Sequence, residues 1–313
     1  MEVSAENNHL QHQPVLVDPV LRSLGCERGS RKRYVDCTVG LGGHAESILN
    51  ATAPSGTLIG IDRDGEALKL ASHRLRFLSD RVVLRKGSFK EIARILSELK
   101  HREADGFLFD LGVSSYQLEN PERGFSFKMP GPMDMRMDRE TGGTVADLIN
   151  NWTQQELKEV IQKYGEERWA GRIATGIVRH RAEKGEIHRT DELEEIIWRA
   201  IPSRFRHGRI HPATRTFQAF RMVVNNELEQ LESGLLAAIS LLAIGGRLVV
   251  ISFHSLEDRS VKRIFRSWSE GREGCAPKRF RTLYKKPVTA GPEEIVRNRR
   301  ARSAKLRALE RAA

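Results

Sequence analysis

The stretch Tyr34-Val35-Asp36-Cys37-Thr38-Val39-Gly40-Leu41-Gly42-Gly43-His44 decides the fold. Aromatic and β-branched residues over 34–39 predict a strand, the glycines predict a tight turn, and residues 44–50 carry apolar side chains at helical spacing. A strand that enters a helix through bare glycine backbone can press that backbone against a cofactor, where a Cβ would clash.

Working outward, 57–61, 81–84 and 106–111 read as further strands, with helical patterns at 66–78 and 89–99 between them and Ser88 placed to cap the latter. Strand and helix in alternation imply a parallel sheet. Residues 120–143 are rich in Gly, Pro, Met and charge without a clean period, which suggests a long ordered loop or lid. From 144 to about 208 the pattern is helical: Thr153 and Glu156 form a capping box, Gly165 marks a stop, and Thr190 marks another cap. Pro212 precedes an amphipathic stretch at 213–243, which ends at Gly245-Gly246 before a strand at 247–253. The same glycines and Arg247 interrupt the apolar run 235–251, so a helix followed by a buried strand is favoured over a membrane span.

The expected fold is therefore α/β, a doubly wound, mostly parallel sheet. Its discontinuous domain covers 1–120 and 212–313, and a loop plus helical insertion covers 121–211. Hydrophobic residues at 39% and charged residues at 30% suit a soluble globular chain. The formal net charge is +11, and residues 259–313 alone hold 17 Lys and Arg against 5 Asp and Glu, so the rest is close to neutral. Such a basic tail suits a polyanion, although a solvated charged face would look the same. Cys26, Cys37 and Cys275 form no C-x-x-C pair, which predicts neither a disulfide framework nor a zinc site and fits a reducing cytoplasm. Residues 1–13 are polar and lack a signal-peptide core.

Asp62 closes the second strand 22 residues beyond Gly40, where a carboxylate can accept both hydroxyl hydrogens of a ribose. Gly40, Gly42 and Ala45 also satisfy the dinucleotide pattern G-x-G-x-x-[GA], which keeps an NAD-dependent dehydrogenase in play. Asp36 and His44 tilt the choice towards S-adenosylmethionine. A carboxylate at 36 attracts a cationic amino-acid end and repels pyrophosphate, and His44 occupies a helix start where phosphates favour small residues. The bland alternatives are a loop-bracing hydrogen bond for Asp36 and a helix-end histidine for His44. Residues 110–115 and 252–259 end the fourth and fifth strands and place further polar groups at the same sheet edge, where a simple cap by Ser255 is the bland reading. His207 and His211 flank Gly208 and precede Pro212, so no metal set is expected.

Eight segments, D-C-T-V-G-L-G-G-H (36–44), G-I-D-R-D (60–64), D-L-G-V-S-S (110–115), R-G-F-S-F (123–127), P-M-D-M-R-M-D (132–138), Y-G-E-E-R (164–168), H-P-A-T-R-T-F-Q-A-F-R (211–221) and S-F-H-S-L-E-D-R (252–259), together resemble the ribosomal RNA small subunit methyltransferase H family. The resemblance runs nearly end to end. It implies a class I methyltransferase fold and S-adenosylmethionine-dependent N4-methylation of a cytidine in the decoding centre of bacterial 16S rRNA. It also implies cofactor contacts at Gly42, Gly43, His44, Asp62, Phe89, Asp110 and Gln117. Tyr116, Ile244-Gly245 and Asn298-Arg299 depart from its usual proline-containing pattern.

On this reading Asp110 and Ser115 accept from the target amine, and His254 and Arg259 position the nucleotide. Tyr116, Phe125 and Phe127 are candidates to stack on a splayed base, and Arg300 and Arg302 contact phosphates. The rival from another class is a non-catalytic RNA-binding ribosome-assembly factor.

Overall fold

Strand β1 (Arg33–Asp36) is paired in parallel on both sides, by β2 (Thr57–Asp62) and by the later β4 (Ala104–Asp110), while β3 (Val82–Lys86) extends the sheet beyond β2. Strand β5 (Leu242–Ser252) adds in parallel to β4. The computed structural model describes residues 14–272 and 279–312; Cys275 lies outside them. Short strands β6 (Phe280–Thr282) and β7 (Val288–Thr289) each pair with β8 (Lys305–Arg311), which runs antiparallel to β5. The resulting order is β3-β2-β1-β4-β5-β8-β6, with β7 branching from β8.

Alternation along the strands explains why both faces of this sheet are covered. Val35, Ile59, Ile61, Phe107, Phe109, Leu248 and Val250 join one core with Ile92, Ile95, Leu235 and Phe265 from flanking helices. Tyr34, Leu58, Leu108, Val249 and Ile251 face the other way, against Val20, Leu24, Ile48 and Leu49. Successive side chains of a strand point to opposite faces, so near-continuous apolar strands require helices on both sides. Each fully buried Leu, Ile or Phe adds roughly 1.5–3 kcal/mol of transfer free energy.

Two compact units divide the chain, residues 1–112 with 228–313, and residues 113–227. The second has its own core, built from Ile149, Leu157, Ile161, Ile173, Ile177, Leu193, Ile197 and Phe220 on the helices Val145–Asn151, Gln154–Gly165, Ala170–Lys184, Thr190–Ala200 and Ala213–Val224. The loop over 120–143 is ordered from within. Arg123 is 1% exposed and donates to the carbonyls of Arg136 and Met137, while Met133 and Met135 are buried.

Thr153 and Glu156 form the expected capping box, and the helix ends at Gly165. Thr190 is not a cap: its helix is capped at Arg189 by Glu192, and the Thr190 hydroxyl accepts from Gly131 N at 3.0 Å. The single helix expected over 213–243 is two helices, Ala213–Val224 and Glu227–Ser240. Asn225 breaks it by bonding sideways, donating to Met135 O at 2.8 Å and accepting from Met137 N at 2.7 Å, and Asn226 turns the chain with φ 49°. Asn tolerates this left-handed conformation better than other non-glycine residues. The fifth strand starts at Leu242, before the glycine pair, and not after it.

Strand β8 changes the meaning of the basic tail. Lys305 and Arg307 engage Asp258 on the helix Ser255–Ser269, and Arg281 shares Glu310 with Arg247 of β5, so part of the tail's charge is offset by neighbouring carboxylates. Among the described residues no helix is long and apolar enough to cross a membrane.

Candidate functional site

Parallel strands deliver Asp36, Asp62 and Asp110, the last residues of β1, β2 and β4, to one edge of the sheet. Strand order reverses at β1, and open α/β sheets bind ligands at the carboxyl edge of such a reversal. Thr38 Oγ1 accepts from Asp110 N at 2.7 Å and so ties the ends of β1 and β4 together beyond their ladder. Nothing in the sequence had singled out Thr38.

The glycine loop bends between these carboxylates. Gly42 has φ 81° and caps the helix Gly43–Ala51, a left-handed backbone that a side chain would strain. A Cβ on Gly43 would lie 3.1 Å from Pro14 and crowd it. His44 follows in the first turn, 5% exposed, with Nε2 at 3.4 Å from Asp110 Oδ2 but outside hydrogen-bond geometry.

Four buried polar atoms here have no hydrogen-bond partner among the described residues: Asp36 Oδ2, Asp110 Oδ1, and both ring nitrogens of His44. Buried polar groups are normally satisfied, and leaving one unpaired costs about 1–3 kcal/mol, so a cluster of them marks a place built for a polar ligand. Asp36 is 1% exposed and its other oxygen accepts from Thr38 N at 3.2 Å; burial pushes its carboxyl up to about 7, against the opposing pull of His44. One Asp36 oxygen thus braces the loop, and the other has no hydrogen-bond partner among the described residues.

Asp62 accepts from Gly40 N at 2.8 Å and from Asp64 N at 2.9 Å, which fixes its carboxylate against the glycine loop; burial raises it to about 6. Asp64 caps the next helix, accepting from Glu66 N and Ala67 N. At the end of β3, Ser88 and Glu91 form a capping box and Ser88 also bonds Gln230. Phe89 is half-buried, edge-to-face with Phe109 at 5.5 Å and pressed against Gly234, where a Cβ would approach its ring to 2.7 Å.

His254, and not Ser255, caps the helix Ser255–Ser269. Its Nδ1 accepts from Glu257 N at 3.4 Å, which holds the ring, while its Nε2 lies 3.0 Å from Glu257 Oε1 but outside hydrogen-bond geometry. Arg259 is exposed on the same helix. Arg300, half-buried, and Arg302, exposed, lie in the turn Arg299–Ser303 that leads into β8.

In the second unit Ser115 and Gln117 are buried, and Gln117 Oε1 accepts from Ser114 N at 3.0 Å in a capping box. Phe125 is a core residue at 6% exposure, which removes it as a stacking candidate. Phe127 is half-buried and stacks on His211 at 4.5 Å, while Tyr116 stays half-buried. His211 is therefore ring-packed, and its Nε2 faces Glu194 at 3.4 Å.

The sheet edge thus brings together Asp36, His44 and Asp110, with Asp62 bound to the same loop. A model of the MraW methylase family matches residues 9–312. The chain is 51% identical to a protein of Geobacter sulfurreducens named ribosomal RNA small subunit methyltransferase H, over 96% of this chain and 98% of that one. It is likewise 51% identical to a protein of the same name from Pelobacter propionicus, over the same shares of the two chains.

Proposed function

The chain belongs to the MraW methylase family, and from that premise we propose that it methylates the N4 amine of a cytidine in the decoding centre of 16S rRNA, in the cytoplasm. S-adenosylmethionine is its cofactor and supplies the electrophilic methyl group. The observation that carries the reading is the group of orphaned buried atoms, Asp36 Oδ2, Asp110 Oδ1 and the His44 nitrogens, at the carboxyl edge of β1 and β4. Two carboxylates in this position suit a cationic amino-acid end and oppose a pyrophosphate, which counts against a dehydrogenase.

Each residue then has a task. Gly42, Gly43 and His44 bring backbone to the cofactor, Asp62 accepts from ribose hydroxyls, and Phe89 offers a ring already fixed by Phe109 and Gly234. Gln117 completes the contacts assigned by family resemblance. A cytosine amine is a weak nucleophile because its lone pair is delocalised into the ring. Acceptors on its hydrogens localise that pair, and we assign this to Asp110. His254 acts as a ring that positions the nucleotide with Arg259, fixed through Nδ1, which accepts from Glu257 N, while its buried Nε2 has no hydrogen-bond partner among the described residues.

Incubation with labelled methyl donor and either naked 16S rRNA or small-subunit particles, followed by digestion to nucleosides, should yield N4-methylcytidine. Its absence while cofactor still binds would overturn the catalytic reading in favour of an assembly factor. Replacing Arg300 and Arg302 together by glutamine should weaken RNA binding several-fold and lower the slope of log K against log salt by roughly 1 to 2. Unchanged affinity at low and high salt would count against phosphate contacts there.

A further inference from the structure

The second unit holds a group of arginines that the proposed chemistry does not use. Trp169 and Phe205 lie with ring centroids 5.4 Å apart, and Phe205 keeps 36% of its surface exposed. The Arg168 guanidinium carbon is 4.1 Å from the Phe205 centroid and 5.0 Å from that of Trp169. Arg204 lies 4.8 Å from Phe205, and Arg172 lies 5.8 Å from Trp169. All three arginines are exposed, and none forms an ion pair with a carboxylate among the described residues.

The contrast with the basic helix Ser255–Ser269 is informative. There Arg263 pairs with Glu232 and Arg266 with Glu270, which offsets much of the charge. Around Trp169 and Phe205 the cations are gathered by ring faces instead, each such contact contributing about 0.5–1 kcal/mol at an exposed site without neutralising anything. The adjoining run S-R-F-R-H-G-R-I-H (203–211) adds Arg206 and Arg209 and contains no acidic residue. A guanidinium that stacks by its face keeps its N–H edges for bidentate contact with a phosphate, and its other face can take a base.

We infer that Arg168, Arg172 and Arg204, mounted on Trp169 and Phe205, form a binding surface for a single-stranded segment of RNA, with phosphates at the guanidinium edges and an unpaired base on the exposed planes. This rests on the proposal that the substrate is RNA. Unpaired RNA, unlike a duplex, exposes both the phosphate and the base face that such a surface can use.

The test is the full-length chain carrying Arg168→Gln and Arg204→Gln, with binding to a single-stranded RNA oligonucleotide and to an RNA duplex of equal length measured across a salt series. The expected result is about tenfold weaker single-strand binding at low salt, with the log-log slope reduced by roughly 1.4 for two lost phosphate contacts. The duplex should lose less, and cofactor affinity and helical circular dichroism should match the wild type. The charge-keeping pair Arg168→Lys and Arg204→Lys should preserve most of the slope yet still lose single-strand preference. Wild-type affinity and slope in the glutamine variant, or equal losses on strand and duplex, would overturn the inference while leaving methylation of RNA intact. A wild-type chain that neither binds nor methylates RNA would overturn both together.

Discussion

Replacing Asp62 by alanine is expected to weaken S-adenosylmethionine binding by about 100-fold or more, because two charge-assisted hydrogen bonds at about 1.5–3 kcal/mol each disappear with the carboxylate. Asp62 ends β2, and its two oxygens already hold Gly40 N at 2.8 Å and Asp64 N at 2.9 Å. Arg63 N also donates to this carboxylate, and on the proposed reading its remaining acceptor capacity meets the ribose hydroxyls. Asp62→Asn keeps one acceptor oxygen but turns its NH2 towards a backbone N–H, of Gly40 or of Asp64, so its affinity should lie between those of wild type and alanine. Burial raises Asp62 to about 6, so cofactor affinity should also fall as the pH drops through that value and the carboxylate gains a proton. Titration calorimetry decides the matter: an alanine variant that is folded and binds within threefold of wild type rules out a ribose contact at Asp62.

The features that sequence made legible here are those dictated by backbone and periodicity. The strand and turn at 34–43 and the carboxylate at the end of β2 were readable because a parallel α/β sheet has few ways to arrange them. What escaped were consequences of side chains meeting at a distance. Asn225 interrupts a helix that is apolar and well spaced on either side, and it does so through bonds to Met135 and Met137, far away in sequence. Thr38 carries no motif, yet its hydroxyl joins β1 to β4. The tail was read for its charge, while the alternation Lys305-Leu306-Arg307-Ala308 already had the two-residue period of a strand. Phe125 looked like a free aromatic in a loop, but the loop folds over its own core. For the candidate site, charge and spacing identified Asp36, His44, Asp62 and Asp110, whereas the capture of His254 by Glu257 required coordinates.

Asp36→Asn separates ligand binding from stability most sharply. The wild-type carboxyl is buried, carries one unpartnered oxygen, and is raised to about 7 from its ordinary 3.8 by burial. Its folded-state value lies above the unfolded one, so between these two values the native state holds the proton more tightly. The stability contributed by Asp36 is thus fully present below about pH 4 and is lost as the pH rises through 7. At pH 8 the wild type must bury an ionised carboxylate that asparagine avoids, so the ligand-free variant should melt higher by about 3 °C or more. That difference should shrink progressively as the pH falls below 7 and approach zero only below about pH 4. Binding should move the opposite way. A cationic ligand group favours the ionised carboxylate, so wild-type affinity should fall about tenfold per unit as the pH drops below 7, and Asp36→Asn should lower affinity about 100-fold at pH 8. The variant should also lose the step near 7 while keeping the step near 6 that belongs to Asp62. Melting curves and calorimetry at pH 5, 6.5 and 8 read both effects. A variant that binds as tightly as wild type at pH 8, or melts lower there, would mean that Asp36 serves only to brace Thr38 and that the orphaned oxygen faces no cation.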